Sequence, residues 1–369
     1  MGWASGNGHL SVVEWLHVNR SEGCTQDAME KAARHGHLSV VEWLHANRSE
    51  GCTEDAMDWA AGNGHLLAVE WLHANRSEGC TDEAMDYAAK HGHLSIMEWL
   101  HDNRSEGCSG YAIEWAAEIG HLLTVEWLHI NYPRTMRQSS RQAMRNAAKN
   151  GHLPVVEWLH ANRYDNCYSH WFIMDQAAMG GQLHVMEWLH ANRSERCSGV
   201  AINWAARNGH LSMVEWLHAN RSEGCTDEAM DYAAKHGHLS IMEWLHDNRS
   251  EGCSGYAIEW AAEIGHLLTV EWLHINYPRT MRQSSRQAMR NAAKNGHLPV
   301  VEWLHANRYD NCYSHWFIMD QAAMGGQLHV MEWLHANRSE RCSGVAINWA
   351  ARNGHLSMVE WLHANRSEG

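Results

Sequence analysis

The residues able to do chemistry in this chain are numerous and periodic. It holds 31 His, 10 Cys, 43 Asp and Glu, and 29 Lys and Arg, for a formal net charge of −14. Eleven histidines stand in Gly-His-Leu and thirteen in Trp-Leu-His. Histidine at such density suggests zinc, but the spacing argues against it. His37 and His45 lie at opposite ends of one helix-length segment. Equivalent positions one period apart are separated by about 10 Å if the periods stack as helices. Two ligands of one zinc each sit about 2.1 Å from the metal. No metal and no cofactor are expected. The thiols follow the same logic. Cys24, Cys52, Cys80 and Cys108 occur once per period, whereas a disulfide needs Cα atoms within about 7 Å. They are expected to be small, buried, free thiols in a reducing, cytoplasmic compartment. The acids Glu30, Asp58 and Asp86 recur as a column after Met and are expected to be helix-surface or turn partners. No period carries a nucleophile and base that the others lack, and an active site needs one asymmetric constellation. The chain is not expected to be an enzyme.

What positions these residues is a repeat. The motif Gly-His-Leu-x-x-x-Glu-Trp-Leu-His, as at Gly36 to His45, returns thirteen times, twice with Gln182 or Gln327 in place of its first histidine. Most intervals are 28 residues, with insertions of two or three in the others. Such a period denotes a solenoid, in which each unit buries its apolar face only against its neighbours. In one unit, Thr25 suits an N-cap. Ala28, Met29, Ala32 and Ala33 form one apolar helical face. Gly36 suits the left-handed residue that ends a helix. A second helix is expected from about Leu38 to Ala46, with Val40, Val41, Trp43 and Leu44 too many for a one-sided surface helix. The Asn-Arg-Ser-Glu-Gly stretch after it reads as a connector turn. The tryptophans of Glu-Trp-Leu are expected in the core. The Gly-His-Leu histidines are expected to hold the interhelix turn by ring hydrogen bonds, and the Trp-Leu-His histidines to sit at helix C-termini.

The run Ala32-Ala33-Arg34-His35-Gly36-His37-Leu38-Ser39-Val40-Val41-Glu42-Trp43-Leu44 resembles the Ala-Ala-x-x-Gly-His-Leu-x-Val-Val-x-x-Leu core of the ankyrin repeat, and it recurs over nearly the whole chain. The resemblance implies an all-α solenoid of stacked helix-turn-helix units. The family's period is 33, and the five residues missing here fall where its units project a β-hairpin finger. A hairpin-less variant is therefore expected, forming one continuous curved array of about thirteen units over residues 1–369. The resemblance also implies protein partners, with contacts at the C-terminal end of the first helix. Arg34 with His35, Lys90 with His91, and Glu118 with Ile119 occupy that place. The position just before Ala-Ala varies as Lys31, Trp59, Tyr87, Trp115, Asn146, Gln176 and Trp204. This variation suits either a ligand-facing column or packing between first helices.

Two interruptions break the pattern. The first holds Arg134, Arg137, Arg141, Arg145 and Lys149 without an acid, and its copy holds Arg279, Arg282, Arg286, Arg290 and Lys294. Arginine forks suit planar anions, so this basic island is read either as an anion pocket or as a solvated loop pairing with neighbouring glutamates. The second places Tyr164, Tyr168 and Trp171, with copies Tyr309, Tyr313 and Trp316, in a dense aromatic run. It is read as a binding anchor or as the filling of a gap left by the inserted residues.

Residues 69–224 recur without a change at 214–369, so a binding site in the block occurs twice and a bivalent partner gains avidity. The chain enters at Trp3 partway through a first helix and stops after a second helix. Neither end has a polar capping unit. Trp3, Leu10, Trp361 and Leu362 are thus candidates for an end face; a fragment, end-to-end stacking and tolerated exposure all remain open. Net acidity opposes binding to nucleic acid or an anionic membrane, and no apolar run is long enough to span a bilayer. The reading is a non-catalytic protein-binding scaffold, with a filament-forming structural protein as the second option.

Overall fold

A computed structural model describes the chain except residues 21–24, 165–170, 194–196, 223, 310–315, 339–341 and 366–369, and the side chains of 171–172 and 316–317. It forms two compact units, Met1–Arg196 and Cys197–Gly369. Each is a succession of helical hairpins, and no strand occurs among the described residues. In the first unit, the first helices are Gly2–Gly6, Asp27–Arg34, Asp55–Gly62, Asp82–His91, Tyr111–Ile119, Pro133–Asn150 and Trp171–Gly180. Their second helices are Leu10–Asn19, Leu38–Asn47, Leu66–Asn75, Leu94–Asn103, Leu122–Asn131, Leu153–Ala161 and Leu183–Asn192. The second unit has six such hairpins, from Ala201–Arg207 with Leu211–Asn220 to Ala346–Arg352 with Leu356–Asn365.

First helices pack chiefly on the first helices before and after them. The Ala-Ala pairs permit this: Ala32, Ala33, Ala60, Ala61, Ala88 and Ala89 are all fully buried, and side chains this small let helix axes approach closely. Methionine fills the layer beside them, as at Met57 and Met85, while Val40, Val41 and Leu44 bury the inner face of the second helix. The turn between the helices depends on glycine. Gly92 takes φ 72° and its N–H closes onto the carbonyls of Ala88 and Ala89, a left-handed end that a side chain resists.

Three expectations are corrected. The Glu-Trp-Leu tryptophans are not core: Trp43, Trp71 and Trp99 are half-buried, and Trp15 is 59% exposed. The pair of Val or Met residues and the Leu already fill the inner face, which turns the indole toward the Trp-Leu-His histidine of the preceding repeat. Thr25 does not cap its helix, where Gln26 stands at the boundary without a side-chain cap. The equivalent Thr81 does cap, accepting from the Glu83 amide at 3.1 Å. The basic island is not a loop. Its inserted residues extend the first helix to the 18-residue Pro133–Asn150, with proline in the first turn, where its missing N–H costs nothing.

Candidate protein-binding face

The columns of polar and ring side chains form ladders, and each rung joins one repeat to the next. The acids after Met are buried rather than on the surface: Asp58 is 1% exposed and Asp86 2%. Asp58 accepts from the Thr81 amide at 2.9 Å and from its hydroxyl at 2.6 Å. Glu30 holds Thr53, Asp86 holds Ser109, and Asp231 holds Ser254 in the same way. Burial pushes the Asp58, Asp86 and Asp231 carboxyls up to about 6, against the opposing effect of these hydrogen bonds. Asn203 takes the acid's place once, donating to Thr226 Oγ1 at 2.9 Å and accepting from its amide at 3.3 Å.

The two histidine kinds have different partners. The Gly-His-Leu ring reaches back to the first helix of the preceding repeat, as His152 Nε2 does to the Glu118 carbonyl at 2.8 Å and His297 Nε2 to the Glu263 carbonyl at 2.9 Å. It therefore secures the preceding repeat's turn, not its own. A Cβ on Gly64 would lie 2.8 Å from His93 Cε1, so glycine makes room for the ring as well as for the turn. Burial holds the His65, His93, His121 and His266 imidazoles below their ordinary value. Where Gln182 replaces the histidine, His184 Nε2 lies 2.9 Å from the Gly151 carbonyl of the preceding repeat. The Trp-Leu-His ring meets the next repeat instead. His45 lies edge-on to Trp71 at 5.2 Å, and its Nδ1 is 3.4 Å from Arg76 Nη1. The same arginine pairs with Glu78. At the two interruptions tyrosine takes the arginine's place: His101 Nδ1 meets Tyr132 Oη at 3.0 Å and His129 Nδ1 meets Tyr164 Oη at 2.5 Å.

The variable column before Ala-Ala becomes a half-exposed strip. Tyr87 stacks on Trp115 at 5.6 Å and 5°, and Tyr111, 58% exposed, stacks on the same indole at 5.1 Å. Cations cover the rings. Lys31 lies 5.2 Å from the centre of Trp3, Arg34 5.4 Å from Trp59, and Lys90 5.1 Å from Trp115. In the second unit Arg207 lies over Trp204 and Tyr232, and Lys235 over Trp260. His35 and His91 lie exposed beside the strip; His35 Nδ1 is 2.9 Å from the Lys31 carbonyl.

The remaining candidates fall elsewhere. Arg134, Arg137 and Arg141, with Arg279, Arg282 and Arg286, are exposed on the long helices, whereas Arg145 and Arg290 are half-buried. Tyr164 is 9% exposed and packs against Trp158 at 6.1 Å, with Tyr309 against Trp303 at 6.2 Å. Both read as inter-repeat links rather than exposed anchors, because the inserted residue puts tyrosine where arginine otherwise reaches histidine. Tyr168 and Tyr313 lie outside the described residues, and Trp171 and Trp316 begin helices whose first side chains are likewise outside them. Of the end-face candidates, Trp3 is 81% exposed and Leu10 half-buried, but Leu362 is 2% exposed. Leu362 lies on the inner face of its own hairpin, and Trp361 packs edge-on to His335 at 5.2 Å. Sequence reasoning offered the acids after Met as helix-surface or turn partners without naming the Thr or Ser of the next repeat as the partner. The signal for that pairing was the constant separation of 23 residues between the two columns, as from Asp58 to Thr81.

The helical hairpins and the rungs between them define a helical-repeat protein. The pattern described as ankyrin repeats (many copies) matches residues 3–45, 47–101, 174–218 and 319–363, and that described as ankyrin repeats (3 copies) matches 202–284. The chain belongs to the ankyrin repeat family, whose repeats are generally protein–protein interaction modules. No curated protein in the comparison matches it.

Proposed function

We propose that this protein is a non-catalytic scaffold that binds protein along the strip formed by its first helices. The observation that carries this reading is the alternation of stacked rings and cations, above all Tyr87, Trp115 and Lys90. Tyrosine, tryptophan and arginine dominate binding energy at interfaces. Rings already stacked on a neighbour and covered by a cation lose little freedom when a partner arrives. The outward Arg34, His35 and His91 would supply polar rim contacts. Peptides selected against the full chain, followed by hydrogen exchange, test this. Protection concentrated at 82–91 and 111–119 is expected, together with at least a tenfold loss when Tyr87, Trp115, Tyr232 and Trp260 become serine. Protection confined to the second helices would refute it.

A second reading is end-to-end self-association. Val12 and Trp15 of the first hairpin are 45% and 59% exposed, whereas Val40, the equivalent of Val12 one repeat on, is fully buried. Mass that rises with concentration in light scattering, and that Trp15→Glu abolishes, would support it. A constant monomer mass would exclude it.

A further inference from the structure

The geometry points to a second binding site, for an acidic peptide, on the long helix Pro278–Asn295 and its copy Pro133–Asn150. The site goes beyond the aromatic strip and uses none of its rings. An open groove of about 670 Å³ lies in the second unit, with Arg282, Arg286 and Arg308 among its lining residues. All three are exposed, and no carboxylate of the described residues pairs with Arg282 or Arg286. Arg308 holds φ 58°, a left-handed conformation that a non-glycine residue rarely adopts and that clusters at functional sites.

The other titratable groups at the groove are engaged. Tyr309 Oη is 2.6 Å from His274 Nδ1. Glu259, the one acid among the lining residues, is hydrogen-bonded to Ser284. Donors thus prevail where a ligand would enter. Arg279, Arg282, Arg286, Arg290 and Lys294 recur at steps of three or four residues, which places them along one helix face. At 1.5 Å per residue that stripe runs about 22 Å. This is far longer than one phosphate or carboxylate needs, and it equals roughly six or seven residues of extended peptide. Guanidinium forks match carboxylates two bonds at a time. A chain with a net charge of −14 repels a long polyanion such as nucleic acid, but a short acidic segment meets only the local basic field. The lining residues recur in the first unit with the same bonds, including Ser140 Oγ to the Tyr164 carbonyl at 3.3 Å and Arg163 at φ 57°. Two sites per chain follow.

The test is fluorescence anisotropy of the full chain at low salt, with a labelled peptide carrying six consecutive glutamates and its all-glutamine counterpart. The glutamate peptide should bind at least tenfold tighter, at two per chain, and weaken as salt rises. Arg137→Gln with Arg141→Gln should halve the stoichiometry and leave the remaining affinity unchanged. Adding Arg282→Gln and Arg286→Gln should cost at least tenfold. Hydrogen exchange on the unmodified chain gives a readout independent of whether the variants fold, and the peptide should protect 282–287. Equal binding of the two peptides, no protection there, or an unaffected fourfold variant would overturn the proposal. So would displacement by inorganic phosphate at equal concentration, which would assign the groove to a small anion, or a tighter grip on a single-stranded oligonucleotide. Because the aromatic strip is untouched in these variants, failure here leaves the strip reading standing.

Discussion

Asp58 and Thr81 belong to neighbouring repeats and share two hydrogen bonds, from the Thr81 amide at 2.9 Å and from its hydroxyl at 2.6 Å. The carboxylate thereby satisfies a backbone N–H at a helix entrance and joins two repeats with one side chain. An acid of this kind looks like surface chemistry in a sequence, yet it is among the most buried polar groups of the molecule.

Replacing Asp58 by alanine strands the Thr81 amide, and a buried unsatisfied donor costs about 1–3 kcal/mol. Asp58→Asn should cost less, because Asn203 makes the equivalent pair of bonds with Thr226. Urea unfolding of both variants checks this. Equal losses would show that the charge, and not the hydrogen bonds, matters.

The same pair gives a pH dependence. The Asp58 carboxyl titrates at about 6 instead of 3.8, so the folded state holds its proton more tightly than the unfolded chain. That contribution is fully present below pH 3.8 and is lost as pH rises through about 6. The stability of the parent relative to Asp58→Asn should therefore decline between these limits and stay level above them. A difference that grows over that interval would contradict the assignment.

His65, a Gly-His-Leu histidine, acts in the opposite sense. Burial, then the nearby His35 and His37, holds the His65 imidazole below its ordinary value of 6.5. The folded state binds the proton less well, so this contribution is complete above pH 6.5 and falls away as pH drops below it. His65→Gln is the comparison, since Gln182 stands at the equivalent place. The parent's advantage over this variant should shrink from pH 7 to pH 5 in thermal unfolding, and a constant advantage would refute the linkage.

Gly180 offers a test of packing. Alanine in place of glycine within a helix ordinarily stabilises by about 0.5–1 kcal/mol. Here the added methyl would overlap the Lys149 carbonyl oxygen, a backbone atom of the adjacent first helix. Gly180→Ala should instead destabilise by about 1–3 kcal/mol, read as a lower denaturant midpoint. A gain in stability would mean that the two helices are not held so close.

The half-buried tryptophans should couple to histidine across repeats. A double-mutant cycle on His45 and Trp71, which meet edge-on at 5.2 Å, should give an interaction of about 0.5–1.5 kcal/mol. Additive losses would reduce the contact to incidental proximity.

The sequence by itself determined the repeat, its two helices, the glycine turn and the alanine face, because these depend on local backbone preference and on a period that the chain states thirteen times. It also exposed the places where the pattern breaks. Tertiary structure alone decided what the periodic polar residues do. Asp58 and His45 find partners one repeat away, 23 residues on at Thr81 and 31 on at Arg76, and periodicity along a chain does not say which columns face each other. The inner face of the second helix was already full, so tryptophan moved outward to meet histidine. Inserted residues continued a helix because proline in its first turn and a run without glycine favour propagation over a loop. That choice aligned scattered arginines into a stripe.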